Sequence, residues 1–249
     1  MIINSKPISN VIGVLLIILG GMMWFCIPFS WLYGGGDLIP LFYSGLISIG
    51  CGIGAWWYHR KGSGSIQKRE GYLIVAMGWL AMCIFSALPF WMTGEADTVV
   101  DAIFESTSGL TTTGATIFTD IEALTPGLLL WRSLTQWIGG MGIIVLTIAL
   151  LPLLGIGGVE LFTAEAPGPT SDKIHPRIRE TAKRLWFIYV GLTGLLILLL
   201  VLQGMSFFDS FNHALTTMAT GGFSTKNASI AAFPSASIQY TLSLLYTSD

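Results

Sequence analysis

The sequence predicts an all-α polytopic membrane protein, two span–loop–span repeats behind an N-terminal helical hairpin. Three observations carry that prediction. Of the 249 residues, 53% are apolar and 10% are charged, against ~25% charged in soluble domains. The charges also segregate between alternate connections, and one stretch of chain recurs at a fixed offset without a gap. A bilayer is the implied solvent.

The composition excludes some function classes at once. Net charge is -2, and no basic helix or aromatic-interleaved basic patch is present, so nucleic acid is not an expected partner. Cys26, Cys51 and Cys83 lie inside apolar runs without metal-ligand spacing, which supports neither a disulfide framework nor a zinc site. The first apolar run ends in Trp24, Phe25 and Ile27 rather than in a small-residue cleavage site, so it reads as a retained helix.

Five runs are long enough to cross a core needing ~20 apolar residues, at about 11–29, 38–58, 71–92, 127–154 and 185–204. A sixth begins near Ser235. If each run crosses once, Lys6, Arg60, Lys61, Lys68, Arg69, Lys173, Arg177, Arg179, Lys183 and Arg184 all fall on one side. The positive-inside rule makes that side the cytoplasm and places the N-terminus there. The other side carries Asp37, Glu95, Asp97, Asp101, Glu105, Asp120, Glu122 and Asp209 against only Arg132 and Lys226. An acidic face of that kind concentrates cations.

Segments 98–116 and 206–224 on the acidic side are too short and polar to cross, yet too apolar for open loops. They read as re-entrant. Non-helical backbone at membrane depth survives only where protein buries it or where it lines a water-filled cavity. A shift of 108 residues superimposes the two segments, placing Thr98 on Ser206, Asp101 on Asp209, Thr112 on Thr220, Gly114 on Gly222, Thr116 on Ser224 and Pro126 on Pro234. Both open with the Ser/Thr-x-x-Asp pattern that caps a helix. Val100, Ile103, Phe104, Thr107 and Leu110 recur at helical spacing, as do Phe208, Phe211, Leu215 and Met218, so short helices over 98–110 and 206–218 are expected.

Each unit thus reads as span, short helix, Thr/Gly-rich stretch, span: the outline of a potassium-channel-like span–pore-loop–span repeat. A helix entering from outside aims its carbonyl-rich end at the pore centre, where a cation is favoured. The stretches Thr111-Thr112-Thr113-Gly114 and Ala219-Thr220-Gly221-Gly222 that follow are the candidate ion ligands. Their glycines reach backbone angles that turn successive carbonyls to one axis, and such carbonyls can replace the hydration shell of K+. One such Thr-Gly stretch is a common turn; two in register after capped helices point to a filter.

Four passages then carry a family resemblance: DAIFESTSGLTTTGAT (101–116), WRSLTQWIGGMGIIV (131–145), LPLLGIGGVELFTAEAPGP (151–169) and ATGGFSTKN (219–227). The chain resembles the TrkH/TrkG membrane subunits of bacterial Trk potassium-uptake systems, within the Trk/Ktr/HKT superfamily, over nearly its whole length. The resemblance implies four span–loop–span repeats around one pore after an N-terminal hairpin. On that pattern 1–65 is the hairpin, 66–154 the first repeat, 155–184 a cytoplasmic basic loop and 185–249 a truncated second repeat. Two of the expected four repeats are therefore present, and a partial chain is expected. Gly114 and Gly222 match the family's filter glycines, and Gly in the first filter goes with preference for potassium over sodium. Also implied are K+ as the transported ion, a homodimer, a cytosolic nucleotide-binding regulatory subunit (TrkA) and the bacterial inner membrane.

Other residues admit two readings. Arg132 with Glu105 reads as a structural salt bridge, with ion steering as the alternative. His213, four residues after Asp209, reads as a satisfied pair in the pore helix rather than a proton relay. Gly139, Gly140 and Gly142 read as close-packing points, with a hinge as the alternative. The rival functions are a non-conducting membrane scaffold or sensor, and an intramembrane hydrolase using Ser108 or Ser210 with His213.

Overall fold

A computed structural model describes residues 5–58, 68–153 and 174–246. Among these every regular element is helical. The N-terminal hairpin is α1 (Ser5–Leu32) and α2 (Leu38–Tyr58). The first repeat holds α3 (Lys68–Ser86), α4 (Leu88–Met92), α5 (Val99–Leu110) and α6 (Pro126–Leu153). The second holds α7 (Ile174–Leu202), α8 (Phe207–Met218), a 3-10 turn over Ser229–Ala232 and α9 (Ala236–Tyr246).

Four helical stretches among the described residues are long and apolar enough to cross a membrane: Ile8–Leu32, Leu38–Trp57, Glu70–Met92 and Glu180–Leu202. The helix α6 has matching length, 28 residues. The expected run 71–92 is broken at Ala87 into α3 and α4, because Pro89 has no N–H to offer the preceding turn. A larger difference concerns the expected loop 155–184. Residues 154–173 lie outside the described residues, but 174–184 belong to α7, which begins eleven residues before the apolar run. Apolarity finds only the apolar part of a helix, whereas the Arg, Glu, Ala, Lys and Leu of 177–185 are good helix formers that continue it before the apolar run.

The hairpin is held by close backbone approach. A Cβ on Gly13 would collide with the Gly52 carbonyl oxygen, and one on Gly20 with that of Gly45. These pairs recur every seven residues along antiparallel helices, so α1 and α2 pack through small residues. Asp37 then docks the hairpin onto the first repeat. It is 1% exposed, and its Oδ2 accepts from Thr125 Oγ1 at 2.6 Å and from the Leu128 N–H at 2.7 Å, while Oδ1 is bonded to the Ser30 hydroxyl. The carboxylate thereby caps α6 from another element, in place of the residue just before the helix.

The core beneath this joint contains Leu19, Met23, Leu41, Phe90, Leu128 and Trp131, all fully buried. Outward-facing positions on the long helices are apolar as well, including Trp57, Leu198 and Leu202. That inversion of a soluble surface fits lipid as the solvent.

Candidate functional site

The site lies where the two short helices end. Each opens on the predicted cap: Thr98 Oγ1 accepts from the Asp101 N–H at 3.1 Å, and Ser206 Oγ from the Asp209 N–H at 3.1 Å. In both, the cap hydroxyl also donates to the aspartate Oδ2 at 2.7 Å. Fixed at their starts, α5 and α8 deliver their negative ends to Thr111 and Ala219.

The eight predicted ligand positions form two copies of one backbone shape. Thr112 and Gly114 have φ of 54° and 78°, and Thr220 and Gly222 have 53° and 82°. Thr111 and Ala219, before them, sit at -84° and -87°. Single left-handed residues interrupt the right-handed turn, so neither stretch continues the helix before it. The amides of residues 111, 112 and 113 are tied back to the carbonyls of 107, 109 and 108, and those of 219, 220 and 221 to 215, 217 and 216. Glycine freedom was predictable; a threonine at positive φ in each loop was not, because a β-branched residue is a genuine outlier there. Its only sequence signal is the match of Thr112 to Thr220 under the shift.

Two braces hold the far ends of the loops. In the first repeat Glu105, 0% exposed, accepts from the Thr116 hydroxyl at 3.0 Å and from the Ile117 N–H at 3.0 Å. In the second, His213 occupies the corresponding place, its Nε2 bonded to Ser224 Oγ at 3.0 Å and its Nδ1 to the Asp209 carbonyl at 2.8 Å. Arg132 on α6 links the braces. Its Nε donates to Glu105 at 2.8 Å, Nη2 to Thr116 Oγ1 at 3.2 Å and Nη1 to the Ser224 carbonyl at 3.3 Å. The guanidinium also lies 4.1 Å from the Phe223 ring centroid. At 1% exposure Arg132 serves structure, tying loop to loop, and does not face an open path.

Gln136, one turn further along α6, holds the second loop directly. Its Nε2 donates to the Gly221 carbonyl at 2.7 Å, and its Oε1 accepts from the Phe223 N–H at 3.1 Å. Gly139 and Gly140 of α6 are close-packing points, since a Cβ on Gly139 would collide with the Leu110 carbonyl and one on Gly140 would crowd Ala219 and Tyr189, whereas a Cβ on Gly142 would make only ordinary contact with Trp79. Thus α6 passes against the starts of both loops. The loops themselves meet at Gly114, where a Cβ would strike the Gly221 carbonyl oxygen. Asn227 closes the acidic face, accepting from the Ile121 N–H at 2.7 Å and donating to Asp120 at 2.8 Å. Beside it lies a cavity of about 330 Å³ lined by Glu95, Asp97, Asp101 and Asp120.

The hydrolase arrangement is not formed. Ser108 donates to the Ala115 carbonyl at 2.5 Å and Ser210 to that of Met205 at 3.4 Å. The Asp209 carboxylate is engaged by Ser206 and Thr225, so His213 meets only the Asp209 backbone.

Comparison with known proteins accords with this architecture. Residues 40–246 match the family model described as TrkH, cation transport protein. The chain is 42% identical over 243 residues to the Trk system potassium uptake protein TrkH of Escherichia coli (strain K12), covering 97% of this chain and 50% of that one. It is 41% identical over 203 residues to TrkG of the same strain, covering 81% and 42%. The crystal structure of the potassium transporter TrkH from Vibrio parahaemolyticus is similar with a TM-score of 0.86 and 36% identity, over 98% of this chain and 49% of that one. The chain spans about half the length of these relatives. The chain belongs to the TrkH family of cation transport proteins, as a multi-pass membrane protein and not an enzyme.

Proposed function

We propose that this chain forms part of a potassium-uptake pathway in which partly dehydrated K+ passes the backbone carbonyls of Thr111, Thr112, Thr113, Gly114, Ala219, Thr220, Gly221 and Gly222. The observation that carries the reading is the shared left-handed alternation at Thr112/Gly114 and Thr220/Gly222. Two unrelated turns have no reason to repeat it, whereas two copies of one carbonyl-lined filter loop share it. The Gly221 carbonyl already accepts one hydrogen bond from Gln136, and its second lone pair remains for an ion. Beside the loops, the cavity lined by four carboxylates attracts cations electrostatically.

Charge segregation supports an acidic outer face, a cytoplasmic N-terminus and the bacterial inner membrane as location. Division into hairpin (1–65), first repeat (66–154), cytoplasmic basic loop (155–184), with its last eleven residues in α7, and second repeat (185–249) takes the family's pattern and is supported by the 108-residue repeat. Pairing as a homodimer and regulation by a cytosolic nucleotide-binding subunit of the TrkA kind are parts of the same proposal.

The test is uptake of K+ or radioactive rubidium in a potassium-uptake-deficient bacterium carrying the full gene, comparing wild type with Gly222→Ser. Restored uptake in the wild type, with loss of flux or entry of Na+ in the variant, supports the filter. A wild-type protein that reaches the membrane and moves no K+ returns the scaffold reading.

A further inference from the structure

A side chain from α6, the closing span of the first repeat, reaches into the second filter loop. We propose that Gln136 is a selectivity-positioning residue: its amide sets the place of the Gly221 carbonyl and hence the spacing between the two filters. The inference rests on the filter reading above and adds to it a residue outside both loops.

Three observations converge on it. First, the amide is 0% exposed and satisfied at both ends by filter backbone, with Nε2 on the Gly221 carbonyl at 2.7 Å and Oε1 on the Phe223 N–H at 3.1 Å. These groups flank Gly222, which has φ of 82°, so the amide bridges a residue held in the left-handed region. Secondly, the fit leaves no slack: a Cβ on Gly221 would collide with the Gln136 amide carbon. Thirdly, the Gly221 carbonyl oxygen is the atom that a Cβ on Gly114 would strike. One carbonyl is therefore held between Gln136 of α6 and Gly114 of the first loop.

A polar side chain in the middle of a span is costly unless it is used, and every hydrogen-bonding atom seen on Gln136 is spent on the filter. The first loop is supported differently, by Ser108 of its own helix on the Ala115 carbonyl at 2.5 Å. Because K+ and Na+ differ by a fraction of an ångström in preferred oxygen distance, a shift of the Gly221 carbonyl bears on discrimination more than on folding. Gln136 touches no ion; it acts through Gly221.

The experiment compares K+ and Na+ uptake by the full-length protein carrying Gln136→Leu, Gln136→Met or Gln136→Glu, with Gly222→Ser as the filter control and membrane level measured for each. Leu and Met both remove the donor to the Gly221 carbonyl, and the K+-over-Na+ preference is expected to fall by about tenfold, the scale of that one net hydrogen bond. Glu keeps the acceptor for Phe223 but sets a carboxylate oxygen against the Gly221 carbonyl in place of the donor, so a preference reduced at least as far as in Leu is expected. Wild-type preference in Leu and Met variants, alongside an altered Gly222→Ser, overturns the role of Gln136 and leaves the filter standing. Unchanged preference in Gly222→Ser as well overturns both. If all three Gln136 variants fail to reach the membrane while Gly222→Ser does, Gln136 determines folding instead, which also overturns the proposal.

Discussion

Glu105 and His213 stand at the same position of the internal repeat, and each is bonded at 3.0 Å to the hydroxyl two residues beyond its filter glycine, Thr116 or Ser224. The two hydroxyls receive matching backbone donors, from Phe118 at 3.2 Å and Lys226 at 3.0 Å. A carboxylate and an imidazole therefore perform one task. The carboxylate alone needs a counter-charge, which accounts for Arg132 at 2.8 Å.

The first prediction concerns that pair. Both partners are almost fully buried, so Arg132→Met or Glu105→Gln should destabilise the fold by about 3–5 kcal/mol, the scale of an abandoned buried charge. Exchange of the two charges should recover only part of this. An arginine at 105 cannot accept from the Ile117 N–H, which Glu105 now does at 3.0 Å. Thermal unfolding of detergent-purified protein measures both, and full recovery in the exchange would contradict the brace.

At position 213 the task is hydrogen bonding without charge. His213→Ala removes one of the two partners of the Ser224 hydroxyl, which keeps the Lys226 N–H, and should cost about 1 kcal/mol, whereas His213→Gln keeps a partner within reach and should cost less. Both should retain K+ uptake at measurable levels. Complete loss of transport in His213→Ala with normal membrane levels would point to a chemical role instead.

Backbone angle, not side-chain chemistry, is the demand at Thr112 and Thr220. Thr112→Gly should be tolerated in stability, since glycine relieves about 1–2 kcal/mol of left-handed strain while losing a comparable share to chain entropy. Thr112→Pro should abolish folding of the loop: proline fixes φ near -65°, against 54° here, and removes the N–H that donates to Gly109 at 2.9 Å. Membrane level and uptake of the two variants check the contrast.

The hairpin joint gives a fourth prediction. Asp37→Ala removes the cap on α6 and strands Thr125 and the Leu128 N–H, a loss of about 1–3 kcal/mol. Asp37→Asn retains an acceptor and should lose less. Unfolding temperatures in detergent order the three proteins.

Much of this was legible in the sequence because it repeats. The caps at Thr98 and Ser206, the short helices and the paired glycines follow from local chemistry that leaves a pattern at a fixed offset. What stayed hidden depends on packing between elements. Gln136 reads as one polar residue in a span, and its position one turn after Arg132 on the same face was the sole hint that both reach toward the loops. Asp37 looks like any surface acid until α6 is placed beside it. The start of α7 at Ile174 leaves no mark in the apolar run at 185–204, because hydropathy reports the apolar part of a helix and not where its hydrogen bonds begin.

A filter built from both loops depends on Gly114, where they meet. Relative K+ and Na+ uptake by full-length protein carrying Gly114→Ala tests it most directly. A methyl group there must displace the Gly221 carbonyl or the left-handed backbone, so reduced K+ flux with raised Na+ entry is predicted at normal membrane levels. Wild-type flux and preference in that variant would contradict a filter built from these two loops.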